Sequence, residues 1–421
     1  MPTVATLSNG LRVITTHMPH ATSVSVSVYL AAGSRYEADT DAGLSHFVEH
    51  LCFKGTERRP RPQDVAIEID AIGGTINAAT EREYTVYYAK VTREHAERAV
   101  DILADVLQHS LYLEPEIERE RGVILEELAA VEDSPDEQAA LQLDAMLWPR
   151  HPLGRDIAGT PATVKGISVE RLRAYASQQY VANAAVVSIA GALTEDEARR
   201  LVEDSFGQWQ PGTTADWKRA TDLVVEQRSG VLAKPTEQAH LSLGMRGLSL
   251  EDPDRYAADT LSVVLGEGMS SRLFLRLREE LGLCYDIHTF ASHLRDTGMF
   301  GIYAGVDPDN AREAVREVVA ELRRIRDGVD ADELERAKGQ LRSRVLLRME
   351  DSRAVSGWYG AQAILGLPSL TPDEVIERSA AVTAEDVCRV AGRLFQDEAL
   401  RLSVVGPFEG VDLLEGVSLD G

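Results

Sequence analysis

The sequence predicts an α+β fold made of two duplicated domains, each with a mixed, mostly antiparallel sheet packed with helices. The length of 421 residues exceeds one typical domain and suits two. Segments with the two-residue period of strands alternate with segments that have the periodicity of helices. The order of these segments in the first half of the chain recurs in the second half, which indicates a duplication.

The first half begins with an alternating pattern over 24–30, where valines and a leucine occupy every second position, as in a half-buried strand. A turn with the sequence GSRYE follows. The next predicted segments, in chain order, are helices over 41–53 and 62–74, strands TINAAT and EYTVYYAKV, helices through much of 93–145, and a strand over 184–191.

The second half repeats this plan. Its predicted segments are a strand over 240–247, a helix over 253–265, strands near 284–292 and 299–306, helices over 309–327 and 331–349, and a strand over 401–406. Prolines, glycines and paired threonines after residue 207 favour a linker. The predicted boundaries are therefore 1–210 for the first domain, 211–225 for the linker and 226–421 for the second domain.

The composition excludes several classes of function. The net charge is −24, from 44 basic and 68 acidic residues, and such a surface repels nucleic acid. It serves solubility, or would attract basic peptides if the excess lines a binding surface. No apolar run is long enough to span a membrane.

The expected compartment is the cytoplasm. The N-terminal residues lack the basic and apolar regions of a secretory signal, although a presequence already removed would leave the same sequence. The three cysteines are too few and too scattered for a disulfide framework, which predicts free thiols.

The segment HFVEH, residues 46–50, is the first candidate site. On a helix, His46 and His50 lie one turn apart and project from the same side, with Glu49 beside them. Two imidazoles with this spacing suit a zinc ion, and a carboxylate that is not a ligand suits a general base. The alternative is a pair of ordinary histidines on a packed helix. The order HxxEH favours the metal, since it inverts HExxH.

The third ligand should be a distant carboxylate, and the acidic stretch 118–137 offers several. Glu120 and Glu127 are two helical turns apart and share one face, whereas Glu126 points elsewhere. A solvated acidic helix is the alternative explanation. Glu120 is echoed by Glu335 in the second half, but the position matching Glu127 is Arg342. Only the first half keeps both HFVEH and an acid at this position, which predicts that the first half carries the chemistry and that the second supports it.

The first half resembles the pitrilysin-type inverzincin metallopeptidases, and is most similar to the short class that includes mitochondrial processing peptidase. The matching segments are GSRYE, GLSHFVEHLCFKGT, GGTINAATEREYTVYY, ERERGVILEEL and HPLGRDIAGT. The resemblance implies one Zn²⁺ per chain, held by His46, His50 and Glu127, with Glu49 as the base. It implies that Glu120 supports catalysis by orienting a ligand, and leaves Glu126 as a weaker substitute for Glu127.

The resemblance also implies substrate-binding residues. TINAAT matches the edge strand to which an extended substrate adds, with Asn77 and Ala78 at the matching positions. In the second half, Arg278 and Tyr285 match a pair that binds the substrate carbonyl and stabilises the oxyanion. Without the resemblance, the alternatives are that TINAAT is an ordinary hairpin strand, that Arg278 lies on a helix surface and that Tyr285 lies in the core.

The expected function is therefore a zinc endopeptidase that cleaves unfolded peptides inside a closed chamber, with basic peptides favoured if the acidic excess lines its wall. The resemblance implies a homodimer, in which the arginine and tyrosine of one chain complete the active site of the other. Two alternatives remain: a non-catalytic scaffold subunit, and a processing peptidase that needs a different partner chain. Neither a nucleic acid nor a membrane is an expected partner.

Overall fold

The computed structural model describes residues 2–221 and 227–420. Its strands are β1 (Thr3–Thr6), β2 (Arg12–His17), β3 (Ser23–Leu30), β4 (Thr75–Thr80), β5 (Thr85–Thr92), β6 (Ala185–Gly191), β7 (Ser229–Ala233), β8 (Ala239–Gly247), β9 (Cys284–His293), β10 (Gly298–Val306) and β11 (Arg401–Gly406). Its α-helices are α1 (Leu44–Leu51), α2 (Asp64–Ala71), α3 (Ala96–Gln108), α4 (Glu114–Asp133), α5 (Pro135–Leu147), α6 (Pro161–Gly166), α7 (Val169–Gln179), α8 (Glu195–Phe206), α9 (Arg255–Gly266), α10 (Ala311–Asp327), α11 (Ala331–Arg348), α12 (Ser352–Ile364), α13 (Pro372–Ala380) and α14 (Ala384–Leu394). No helix in the described ranges is long and apolar enough to cross a bilayer.

Each of two compact units contains one sheet. The six strands of the first sheet follow the order β1-β2-β6-β3-β5-β4, and the five of the second follow β7-β11-β8-β10-β9. In each sheet one pair of neighbours is parallel, β2 with β6 and β7 with β11, and the other pairs are antiparallel. The predicted α+β class, with mixed and mostly antiparallel sheets in a duplicated arrangement, is confirmed.

The units are discontinuous in sequence. The first comprises Met1–Leu128, Asp156–Lys218 and Leu346–Thr371, and the second comprises Ala129–Arg155, Arg219–Val345 and Pro372–Gly421. The predicted domains, 1–210 and 226–421, are continuous stretches and do not describe this exchange of segments. The exchange occurs because α5, from the first half of the chain, packs on the second sheet, and α12, from the second half, packs on the first sheet. Residues 222–225 of the predicted linker 211–225 lie outside the described residues.

Helix α12 covers the face of the first sheet that the sequence pattern assigns to solvent. The serines between the valines of β3 are fully buried, so the prediction of a half-buried strand is wrong. The hydroxyl oxygens of Ser25 and Ser352 are 2.8 Å apart, and those of Ser27 and Ser356 are also 2.8 Å apart. Buried hydroxyls need such partners, and α12 supplies them from a distant part of the chain.

Gly360 allows α12 to approach β3 closely. A Cβ atom at this position would lie 2.4 Å from a ring carbon of Tyr29 and 3.1 Å from the Cβ of Ser188. Both neighbours are buried and belong to the sheet, so neither has open space into which it can move.

Replacing Gly360 by alanine should therefore destabilise the protein by about 1–3 kcal/mol through overpacking. Alanine is the better helix former, so propensity alone predicts the opposite sign. The midpoint of thermal unfolding measures the effect. Gly339→Ala in α11 is the control, because an added Cβ there meets no atom within 4 Å. Gly360→Ala that is as stable as the control would contradict the close contact.

Candidate metal and active site

Helix α1 presents its polar residues to one side because its apolar residues are buried on the other. Leu44, Phe47, Val48 and Leu51 are almost fully buried in the core of the first unit. They fall at i, i+3, i+4 and i+7, which is the stripe predicted from sequence. His46 and His50 remain partly accessible, with side chains 19% and 16% exposed. The predicted helix and its orientation are therefore confirmed.

A buried carboxylate fixes the start of α1. The Glu37 side chain accepts hydrogen bonds from the backbone N–H groups of Gly43, at 3.0 Å, and Ser45, at 2.7 Å. These groups have no partner within the helix, and a negative charge is favourable at that end. Gly43 has a φ of 94°, and a Cβ there would lie 2.3 Å from the carbonyl oxygen of Ala158. The residue before α1 must therefore be glycine.

Three potential metal ligands converge at the exposed side of α1. The Nε2 atoms of His46 and His50 are 3.3 Å apart. Glu127 Oε2, on α4, lies 3.8 Å from the first and 3.7 Å from the second. Ligands about 2.1 Å from a tetrahedral ion lie about 3.4 Å from one another, so this donor set suits Zn²⁺. Glu126 is exposed and is not part of the group.

The accessibility of the group suits a catalytic site better than a structural one. The Glu127 side chain is 46% exposed, so one side of the ligand triangle is open to substrate or water. Structural zinc sites are closed by four protein ligands, whereas catalytic ones keep a position open. Burial, and next the charge of His50, lower the pKa of His46 to about 4. The ring is therefore neutral at pH 7, as metal binding requires.

The predicted supporting acid, Glu120, contacts the potential ligand His50 at the nitrogen that faces away from the other potential ligands. Its Oε2 atom lies 3.2 Å from Nδ1 of His50, and its Oε1 atom lies 2.8 Å from Nζ of Lys54. The Glu120 side chain is only 4% exposed. Glu120 is thus placed to orient His50, and it does not face the open side of the metal group.

Glu49 is held by the end of strand β4. Its Oε2 atom accepts a hydrogen bond of 2.7 Å from Oγ1 of Thr80, and the backbone of Thr80 also bonds the carboxylate. Burial raises the pKa of Glu49, while the bonds from Thr80 and the charge of His50 lower it less. A carboxyl with a raised pKa is a better proton acceptor near neutral pH than an ordinary glutamate.

Asn77 and Ala78 lie on β4, which is an edge strand of the first sheet and packs against α1. Their partners in the sheet, Tyr88 and Tyr87, are on β5 alone. The N–H group of Ala78 donates to Oδ1 of Asn77 at 2.8 Å, so this N–H points away from β5. The edge therefore has an outward-facing backbone donor, which the Asn77 side chain accepts from in this structure.

Arg278 and Tyr285 belong to the second unit, where the structure brings them together. The guanidinium carbon of Arg278 lies 4.8 Å from the ring centroid of Tyr285 and 4.7 Å from that of Phe274. Arg278 is in a π-helical turn, Phe274–Glu280, a form frequent at functional sites. Tyr285 is 76% exposed, so the alternative of a core tyrosine is wrong.

The helix of the second unit that echoes α4 carries no matching metal group. Helix α11 presents Glu335 and Arg342 at the two positions, and Glu335 pairs with Lys338 on the same helix. Across the described ranges, His46, His50 and Glu127 form the single cluster of this kind. A guanidinium cannot ligate a metal cation, and the second half of the chain also lacks an HxxEH segment, so both differences explain the asymmetry.

Sequence reasoning missed Glu37, Lys54 and Thr80. All three lie inside the motifs that carry the family resemblance: GSRYE, GLSHFVEHLCFKGT and TINAAT. Their presence in those motifs was a signal that they matter. Their partners were not visible, because Thr80 is 31 residues from Glu49 and Lys54 meets a residue on another helix.

Family descriptions match most of the chain. "Insulinase (Peptidase family M16)" matches residues 12–161, and "Peptidase M16 inactive domain" matches residues 166–341. A crystal structure of a protease from Helicobacter pylori has the same fold, with a TM-score of 0.91 over 97% of this chain and 99% of that one, at 23% identity.

Relatives of known sequence extend over nearly the whole chain. The uncharacterized zinc protease YmxG of Bacillus subtilis is 36% identical, covering 94% of this chain and 97% of the relative. The mitochondrial-processing peptidase subunit beta of Dictyostelium discoideum is 33% identical, covering 96% of this chain and 88% of the relative. The resemblance to the pitrilysin-type enzymes is confirmed, and the chain belongs to peptidase family M16.

Proposed function

We propose that the chain is a zinc-dependent endopeptidase that cleaves unfolded peptides. The observation that carries the proposal is the convergence of His46, His50 and Glu127 around an accessible point, with Glu49 on the same helix face. Zinc is the metal in the names of several relatives, and the nitrogen and oxygen donors suit it.

The residues of the site have separate roles in peptide hydrolysis. Zinc, when bound by His46, His50 and Glu127, supplies a Lewis acid that polarises the peptide carbonyl and acidifies water. Glu49 accepts the proton of the attacking water and then delivers it to the leaving nitrogen. Thr80 holds the carboxylate through Oε2, so that its position is set before substrate arrives.

The substrate adds to β4 as an extended strand. The outward N–H of Ala78 would release Asn77 and pair with a substrate carbonyl. Because Thr80 ends the same strand and bonds Glu49, a peptide paired with β4 is led toward the base. Recognition through the backbone admits many sequences but requires the peptide to be unfolded. The charge of −24 would favour basic peptides if it lines the binding surface.

The assembly that we propose is a cytoplasmic homodimer enclosing a chamber. Arg278 and Tyr285 from one chain would complete the active site of the other, where the guanidinium would stabilise the developing oxyanion. Their mutual stacking keeps the guanidinium on an exposed tyrosine ring, accessible to a ligand.

A processing peptidase that needs a different partner chain is the second candidate. It is favoured by the 33% identity to a subunit named as one of mitochondrial-processing peptidase. A scaffold subunit is disfavoured by the intact group of ligands and base. The purified chain, assayed alone, separates these functions.

Glu49→Gln is expected to keep about one zinc per chain and to lower the rate of peptide cleavage by about 10²–10⁴-fold, because the amide cannot accept the proton. Zinc content and cleavage of varied unfolded peptides are measured on the same preparation. Glu126→Gln is the matched control, since this neighbouring acid lies outside the metal group, and it should change neither quantity.

A wild-type protein that binds no zinc and cleaves nothing would favour the scaffold or partner-dependent function over the proposed endopeptidase. Full activity of Glu49→Gln would remove Glu49 from the role of base while leaving the metal site in place.

Thr80→Val is expected to lower kcat by about 10–100-fold with zinc content unchanged, because a hydrogen bond to a charged group contributes about 1.5–3 kcal/mol. Thr80→Ser, which keeps the hydroxyl, should retain most of the activity. Steady-state kinetics on one peptide separate kcat from KM. If serine is no better than valine, the hydroxyl does not hold the base.

A further inference from the structure

Lys54 lies just beyond the metal-binding helix and faces the same interior carboxylate as His50. Its backbone N–H donates to the carbonyl oxygen of Leu51 at 3.0 Å, which continues the chain in a turn after α1. Its Nζ atom lies 2.8 Å from Oε1 of Glu120. The Lys54 side chain is 29% exposed, whereas that of Glu120 is 4% exposed. The ion pair is therefore largely withdrawn from water, where it is stronger than at the surface.

The two oxygens of Glu120 have separate partners. Oε1 contacts Lys54 and Oε2 contacts Nδ1 of His50 at 3.2 Å. An ammonium group can only donate, so Glu120 accepts at Oε1. A carboxylate held at one oxygen keeps the other directed at the imidazole. Nδ1 of His50 is then the donor, and Nε2 retains the lone pair that faces His46 and Glu127.

The other metal-binding histidine has no such support. Nδ1 of His46 is buried and lacks a hydrogen-bond partner among the described residues. One of the two imidazoles is thus anchored at Nδ1 by Glu120, while the other has no hydrogen bond at Nδ1 from the described residues. The retention of the metal should consequently depend on the support of His50.

We propose that Lys54 is a positioning residue that sets the orientation and tautomer of His50 through Glu120, and thereby the affinity of the site for zinc. The inference rests on the proposed function only in taking His46, His50 and Glu127 as the zinc site. It requires no contact between Lys54 and substrate.

Lys54→Met is expected to raise the zinc dissociation constant by about 10–100-fold, the usual effect of removing support from a metal-bound histidine. The measurement is competition for Zn²⁺ against a chelator of known affinity, made on the full chain. Lys90→Met is the matched control, because Nζ of Lys90 pairs at 2.7 Å with Asp351, outside the metal group. The control should leave the dissociation constant unchanged.

A double-mutant cycle with Glu120→Gln tests whether Lys54 acts through Glu120. If it does, Lys54→Met adds little once residue 120 is neutral, whereas independent effects multiply. Lys54→Gln, which keeps a polar head without the charge, supplies the same comparison if Lys54→Met does not fold.

The outcomes separate this inference from the proposed function. No zinc binding by the wild type would overturn both. Zinc binding by the wild type with a dissociation constant unchanged in the Lys54 variants would overturn the role of Lys54 alone. Multiplicative effects in the double variant would also overturn it.

Discussion

The contact of α1 with α4 is the constraint on which the rest of the site depends. It brings two imidazoles spaced one turn apart to a carboxylate from a helix that begins more than sixty residues later in the chain. The buried face of α1 fixes which side the histidines occupy, and Glu37 fixes where the helix begins. Behind the ligands, Glu120 is buried between Lys54 and His50. The potential ligand atoms are therefore preorganised by packing and hydrogen bonds of the protein itself.

The two units share a duplicated fold but differ in the residues that could bind a metal. Both contain the same five-strand arrangement, and in both a helix from the other half of the chain covers a sheet face. The second unit lacks an HxxEH segment, and it has Arg342 at the position where the first unit has Glu127, so it offers none of the three potential ligands. The second unit instead exposes Arg278 stacked on Tyr285, a pair suited to binding an oxygen rather than a cation.

Local sequence patterns were sufficient to predict the helices and strands, but they did not predict which distant residues contact them. The period of α1 and the alternation of β3 predicted both elements, because those patterns follow from backbone geometry. The resemblance selected Glu127 over Glu126, which periodicity alone left open, and the structure brings Glu127 to the histidines. The burial of the β3 serines was not predicted, since the covering helix begins more than three hundred residues later. Thr80 and Lys54 were missed for the same reason, because each acts through a contact distant in sequence.

The geometry thus brings three features together in a small region: the potential metal ligands on α1 and α4, the proposed base Glu49, and the edge strand β4. X-ray absorption at the zinc edge of the zinc-loaded protein tests this account most directly. The account predicts two imidazole nitrogens at about 2.0–2.1 Å and carboxylate or water oxygens in the remaining positions. The same measurement on zinc-loaded His50→Ala should show one imidazole nitrogen fewer around the metal. Sulfur ligands, or a spectrum that the His50 variant leaves unchanged, would contradict the assignment of the site.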